Sequence, residues 1–250
     1  MACGSVNPVG EAGFSEVITA KAPAPGWWLV AGTGLFAVLV TGSSFVLVAT
    51  GRRRALITVN VVGTMVHEAG HALVACLTGG GVYRFRITSP DSGHVLAWHK
   101  TWWSSLAITA AGYSAPPLAG LGAAALLHKG QAAAVLTLTV AMSLLILWVA
   151  RDLLTLGCVV TIGGVAAVAL FWGPPEVQVL VAYLEAWLLL FSELGGLTYL
   201  VVNRMRGLES GADDATSMAE QTSIPGVVWI VAWFALVVWS LWTAIPLLWP

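Results

Sequence analysis

The stretch Thr64-Met65-Val66-His67-Glu68-Ala69-Gly70-His71-Ala72-Leu73-Val74-Ala75 decides how this chain is read. It lies within an apolar run from Ala55 to Leu77, long enough as a helix to cross a hydrocarbon core about 30 Å thick. Positions i and i+4 of a helix share a face, so His67 and His71 point the same way, close enough to grip one cation. Glu68 sits beside that face, where its carboxylate reaches a water on the ion without being a ligand, as a general base for hydrolysis must. Neutral imidazoles favour zinc over magnesium or calcium. Zinc lowers the pKa of water from about 15.7 to about 7. The plainer alternative is a satisfied polar patch between helices. Placement argues against it: ionisable groups near mid-bilayer cost roughly 2.5 to 3.5 kcal/mol each on insertion scales, and three of them crowd into one helical turn.

The rest of the chain agrees that lipid is the main solvent. Of 250 residues, 58% are hydrophobic and 9% charged, against roughly 25% charged in ordinary soluble domains. A net charge of −1 offers no basic surface, so nucleic acid is not an expected partner. Cys3, Cys76 and Cys158 have neither paired nor metal-like spacing, and no disulfide framework is expected. Residues 1–26 lack the pattern of a signal peptide and end in Ala22-Pro23-Ala24-Pro25-Gly26, so they read as a disordered tail ahead of a single membrane-embedded domain, 27–250.

Apolar runs of membrane-spanning length extend over Trp27 to Ala49, Ala55 to Leu77, Trp102 to Leu127, Ala132 to Ala150, Leu153 to Trp172, Val177 to Val202 and Ile224 to Leu248. The fold expected is an all-α polytopic membrane protein with six to seven transmembrane helices. Trp27, Trp28, Trp102, Trp103, Trp172, Trp229 and Trp249 fall at run ends, as an interfacial aromatic belt requires. Arg52-Arg53-Arg54 and the Arg204 to Arg206 segment should face the cytoplasm of a cell-membrane protein. An even number of crossings must separate them, yet five runs do, which predicts that one of these runs, first among them the one after Arg151-Asp152, is bent, re-entrant or fused with its neighbour. Val82 to Trp98, centred on Ser89-Pro90-Asp91-Ser92-Gly93, reads as a small β-hairpin after the second helix.

A catalytic zinc usually keeps three protein ligands and one open position. Asp152 is the first candidate for the third, because the chain around Leu153-Leu154-Thr155-Leu156-Gly157 can unwind and aim its carboxylate inward. Its competing reading is an interfacial turn with Arg151. Asp214 and Glu193 stand in reserve: Glu193 lies inside the sixth run, while Asp213-Asp214 can simply cap a short helix. Asn60 and Glu185 read as interhelical or interfacial polar groups, and His94, His99 and His128 are assigned no site role.

These residues resemble the intramembrane site-2-protease-like metallopeptidases, M50 in class, and most closely the peptidase M50B-like branch. The likeness rests on His67 through Ala75, on Leu77-Thr78-Gly79-Gly80-Gly81-Val82, on Ser92-Gly93, on Ala110-Ala111-Gly112-Tyr113-Ser114-Ala115-Pro116-Pro117, and on Asp214-Ala215 through Thr222-Ser223-Ile224-Pro225 to Trp229. The resemblance implies a polytopic helical fold with zinc held in the bilayer by His67 and His71, Glu68 as the base, a hairpin beside the cleft, and cleavage of membrane-protein substrates at their transmembrane helices. One departure is plain: site-2 proteases usually take the third ligand from an Asp-Gly pair, and this chain has none. Arg151-Asp152-Leu153-Leu154 loosely occupies that place, whereas Asp213-Asp214-Ala215 matches a Ser-Asp-Ala element of the branch.

The function expected is zinc-dependent intramembrane endopeptidase activity. The alternative is a non-catalytic membrane protein, a pseudoprotease that retains a structural metal site or binds partner helices. A transporter using buried ionisable groups would show inverted repeats, and none is visible in the sequence.

Overall fold

The computed structural model describes residues 21–50, 60–207 and 213–250. In chain order these residues form α1 (Trp27–Thr50), α2 (Val61–Leu77), β1 (Gly81–Ser89), β2 (Ser92–Trp98), α3 (Trp102–His128), α4 (Ala132–Val149), α5 (Leu153–Trp172), α6 (Pro175–Met205), α7 (Asp214–Thr222) and α8 (Gly226–Leu248). The chain is an all-α polytopic membrane protein with one small hairpin. Five of its helices, α1, α4, α5, α6 and α8, combine the length and apolarity needed to cross a bilayer. The Arg52 to Arg54 segment and the first 20 residues of the expected tail lie outside the described residues.

Local chemistry sets the helix ends. Thr101 and Ser104 form a reciprocal capping box at the start of α3. Pro174 and Pro175 open α6, where a missing N–H costs nothing. Asp213 caps α7, and Ser223 ends that helix in the left-handed region at φ 60° before Pro225 starts α8. Trp27, Trp28, Trp103 and Trp172 are exposed at helix ends, the position of interfacial anchors.

The run after Arg151-Asp152 departs from expectation. It is one continuous helix of 20 residues, separate from its neighbour and long and apolar enough to cross a bilayer. Asp152 supplies the reason: its carboxylate accepts from the Thr155 N–H at 3.0 Å and so starts a new helix cleanly. Among the described residues the short member is instead α2, whose 17 residues rise about 25 Å; residues 55–59 of its expected run lie outside them.

Three apolar clusters hold the bundle together. The largest joins α1, α3, α4, α5, α6 and α8 through residues such as Val30, Val40, Leu136, Leu170, Leu190 and Leu248. A second packs α7 under α6 and α8 through Met218, Leu197 and Ile230. The third seats the hairpin: Phe85 and Ile87 of β1 pack with Met65 of α2, Ile146 of α4 and Val159 of α5. Small residues let the central helices approach, as expected where lipid supplies no hydrophobic drive between them. A β-carbon on Gly63 of α2 would stand 2.3 Å from Ser192 Cβ of α6, and one on Gly70 would stand 2.5 Å from Ala115 Cβ of α3.

The hairpin pairs antiparallel from Gly81↔Trp98 to Ser89↔Ser92, with Pro90 and Asp91 at its tip. Two hydrogen bonds tie the hairpin to the bundle near its tip. The Thr64 hydroxyl of α2 donates to the Pro90 carbonyl at 2.7 Å. The Ile87 N–H donates to the Thr155 hydroxyl at 2.8 Å, and that hydroxyl donates onward to Asp152 at 2.8 Å. The strand pair is therefore fixed one turn away from His67.

Candidate metal centre

Helix α2 runs without a break through the motif, so His67 and His71 lie one turn apart with ring centroids separated by 5.1 Å. The carboxylate that meets them comes from α7. Asp214 Oδ2 lies 3.3 Å from His67 Nε2 and 3.4 Å from His71 Nε2. These three residues form a group whose ligand atoms all lie within 4.8 Å of one another. Asp152 does not join them; it is committed to capping α5 and holding Thr155. Glu193 is also outside the group, on the far edge of the His67 ring, with Oε1 3.4 Å from Nδ1.

Short helix α7 brings Asp214 in because its neighbours are pinned. Asp213 accepts from the Thr216 N–H at 2.9 Å and from Arg204 Nη2 of α6, also at 2.9 Å. At the other end of α7, Trp102 of α3 donates to the Gln221 carbonyl and Gln221 donates to Thr109. With both ends fixed, the side chain of the first residue in the helix faces α2.

Does this donor set fit a metal ion? Ligand atoms about 2.0 to 2.1 Å from a tetrahedral ion stand about 3.3 to 3.4 Å apart. Both imidazole-to-carboxylate separations, 3.3 and 3.4 Å, have that length. Asp214 Oδ2 is moreover a buried atom that accepts no hydrogen bond, an arrangement that costs energy without a partner. Gly112 of α3 supplies a third observation. A β-carbon there would stand 2.5 Å from His71 Nε2 and 2.6 Å from His67 Nε2, so one point beside the glycine lies close to both nitrogens. The set of two imidazoles and one carboxylate fits zinc.

Glu68 is buried, and its side chain rests against the hairpin: a β-carbon on Gly93 would stand 2.5 Å from Glu68 Cγ and 2.7 Å from Oε1. Its carboxylate, both histidines and Asp214 line one cavity of about 640 Å³, together with Tyr113, Glu193 and hairpin residues Gly93 and His94. The cavity is therefore walled by α2, the hairpin, α3, α6 and α7, and is large enough for a few residues of extended peptide.

Gly112 and Tyr113 belong to the Ala110 to Pro117 stretch that carries the resemblance, but the sequence alone assigns them no site role; the Tyr113 ring stands 4.7 Å from His67 and 4.9 Å from Trp233. Asn60 lines the cavity, and Glu185 accepts from Thr139 across α4 and α6, an interhelical pair remote from the histidines.

The Peptidase M50B-like family model matches residues 37–244, and the chain belongs to that family. No curated protein and no solved structure matches it. Membership of the family, with five apolar helices, suggests an intramembrane metallopeptidase.

Proposed function

We propose that the protein is a zinc-dependent endopeptidase that hydrolyses peptide bonds in or near the transmembrane helices of membrane-protein substrates. The observation that carries this reading is the meeting of His67, His71 and Asp214 in one cavity with Glu68. In this reading His67, His71 and Asp214 hold the ion. Bound zinc would acidify a water molecule and polarise the scissile carbonyl.

The remaining work falls to the protein. Glu68, buried beside the histidine face, takes a proton from the attacking water and delivers it to the departing amide nitrogen. The burial of Glu68 strengthens the electrostatic contacts it makes. A substrate helix must unwind locally to offer a peptide bond, and freed amides in a bilayer need partners. Polar groups of the cavity wall, Asn60, Thr109 and Tyr113 among them, are available to such a segment. By the positive-inside rule Arg206, exposed just after α6, belongs on the cytoplasmic side, and residues 27–250 act as one domain.

The test is cleavage of a co-expressed membrane substrate by the Glu68→Gln variant. Loss of cleavage with zinc still bound is the expected outcome; cleavage at the parent rate removes Glu68 from the chemistry. A non-catalytic protein with the same metal centre would give uncut substrate with parent and variant alike.

A further inference from the structure

Both histidines turn Nε2 toward Asp214, and in each case something must decide that orientation. A neutral imidazole carries its proton on one nitrogen, and only the other has a lone pair for a metal. For His71 the arbiter is backbone. Its Nδ1 lies 2.6 Å from the Ile108 carbonyl oxygen of α3, which can only accept, so Nδ1 donates and Nε2 is left free.

For His67 the group on Nδ1 is a side chain. Glu193 Oε1 of α6 lies 3.4 Å from Nδ1, on the opposite edge of the ring from Asp214. Glu193 is almost fully buried within a helix that spans the membrane, a costly place for a carboxylate. Its surroundings are shaped to admit it. One turn along the chain stands Gly196, where a β-carbon would lie 3.4 Å from Glu193 Oε2 and 3.3 Å from the Tyr113 ring. On the preceding residue, Ser192 fits against Gly63 of α2, which sets the distance between the two helices one turn before His67.

Resting on the metal reading above, we propose that Glu193 is a positioning residue: it accepts the Nδ1 proton of His67, fixes the ring and directs Nε2 to the ion. The two ligands are thus oriented by unlike acceptors, a carboxylate from α6 for His67 and a carbonyl from α3 for His71. Loss of such an outer partner typically weakens metal binding about 10- to 100-fold.

The test uses the full chain purified in detergent, titrated with Co²⁺ and observed through ring ¹⁵N–¹H spectra of its histidines. Parent protein binds one Co²⁺ and His71→Ala does not; a parent that binds none overturns the metal reading itself, and the proposal with it. Given parent binding, Glu193→Ala binds about 10- to 100-fold more weakly, while Glu193→Gln, which keeps an acceptor oxygen, recovers most of the loss. Parent-like affinity in Glu193→Ala overturns the proposal and leaves the metal centre intact. In the zinc-loaded parent both rings carry their proton on Nδ1, and in Glu193→Gln and Glu193→Ala only the His67 signal moves. A purely structural defect would disturb His67 and His71 together. A His67 proton found on Nε2 in the parent overturns the proposal even if no variant folds.

Discussion

Gly112 presents its bare Cα to His71: a β-carbon at that position would stand 2.5 Å from Nε2, and 2.6 Å from the Nε2 of His67. Real β-carbons do not approach so closely. The glycine thus leaves free the space in front of both Nε2 atoms, and the proposed ion lies in that space, between the two nitrogens and Asp214.

Gly112→Ala should therefore abolish metal binding. Alanine raises helix propensity by roughly 1 kcal/mol over glycine, so α3 itself should not suffer. Metal analysis of the purified variant beside its circular dichroism checks this. A variant that binds zinc like the parent would show that the ion does not sit beside Gly112.

The two aspartates considered as third ligand separate cleanly. Asp214→Ala should lose zinc, since Asp214 supplies the carboxylate of the ligand group found among the described residues. Asp152→Ala should keep zinc and lose stability of about 1 kcal/mol, the usual cost of a missing helix cap. Thermal unfolding in detergent with metal analysis measures both; zinc loss in Asp152→Ala alone would reverse the assignment.

The Asp152 contribution should also depend on pH. Slight burial works to raise its carboxyl, but the Thr155 hydrogen bonds, with Arg86 and Arg84 nearby, outweigh it and hold it below its ordinary value. A depressed carboxyl stabilises the fold above its unfolded pKa of about 3.9 and loses that effect as pH falls through the folded value. Parent and Asp152→Ala should therefore differ in melting temperature near neutrality and converge in acid. A gap that persists at low pH would mean that the ionised carboxylate is not the source.

The hairpin should matter for catalysis more than for metal. Thr64→Val removes the hydroxyl that holds the Pro90 carbonyl at 2.7 Å, a bond worth about 1 kcal/mol. With the tip loosened, Gly93 no longer backs Glu68 firmly, and cleavage should slow severalfold while zinc content stays unchanged. Equal rates for the two proteins would remove the hairpin anchor from the account.

What could be read from sequence followed from local physics. The i and i+4 histidines and the Pro90-Asp91 turn are each decided within a few residues and appear where expected, and five of the apolar runs recur as helices α1, α4, α5, α6 and α8 of bilayer-spanning length. Asp152 was drawn toward the ligand set because it interrupts an apolar run, but an interruption of that kind is also what a helix cap looks like. Asp214 carried the opposite ambiguity: it sits next to a true cap, Asp213, on a helix too short to be read as part of the bundle. Its approach to α2 depends on Arg204, which binds the neighbouring Asp213, and on the contact of Trp102 with Gln221 across 119 residues of chain. Gly112 and Glu193 likewise acquire meaning only once α3 and α6 lie against α2.

The central claim is that His67, His71 and Asp214 bind one zinc ion, and the zinc-edge X-ray absorption spectrum of the purified protein tests it most directly. The account predicts one zinc per chain with two imidazole nitrogens and a carboxylate oxygen at about 2.0 to 2.1 Å, and loss of that zinc in Asp214→Ala. A spectrum with no imidazole shell, or one left unchanged by Asp214→Ala, would contradict it.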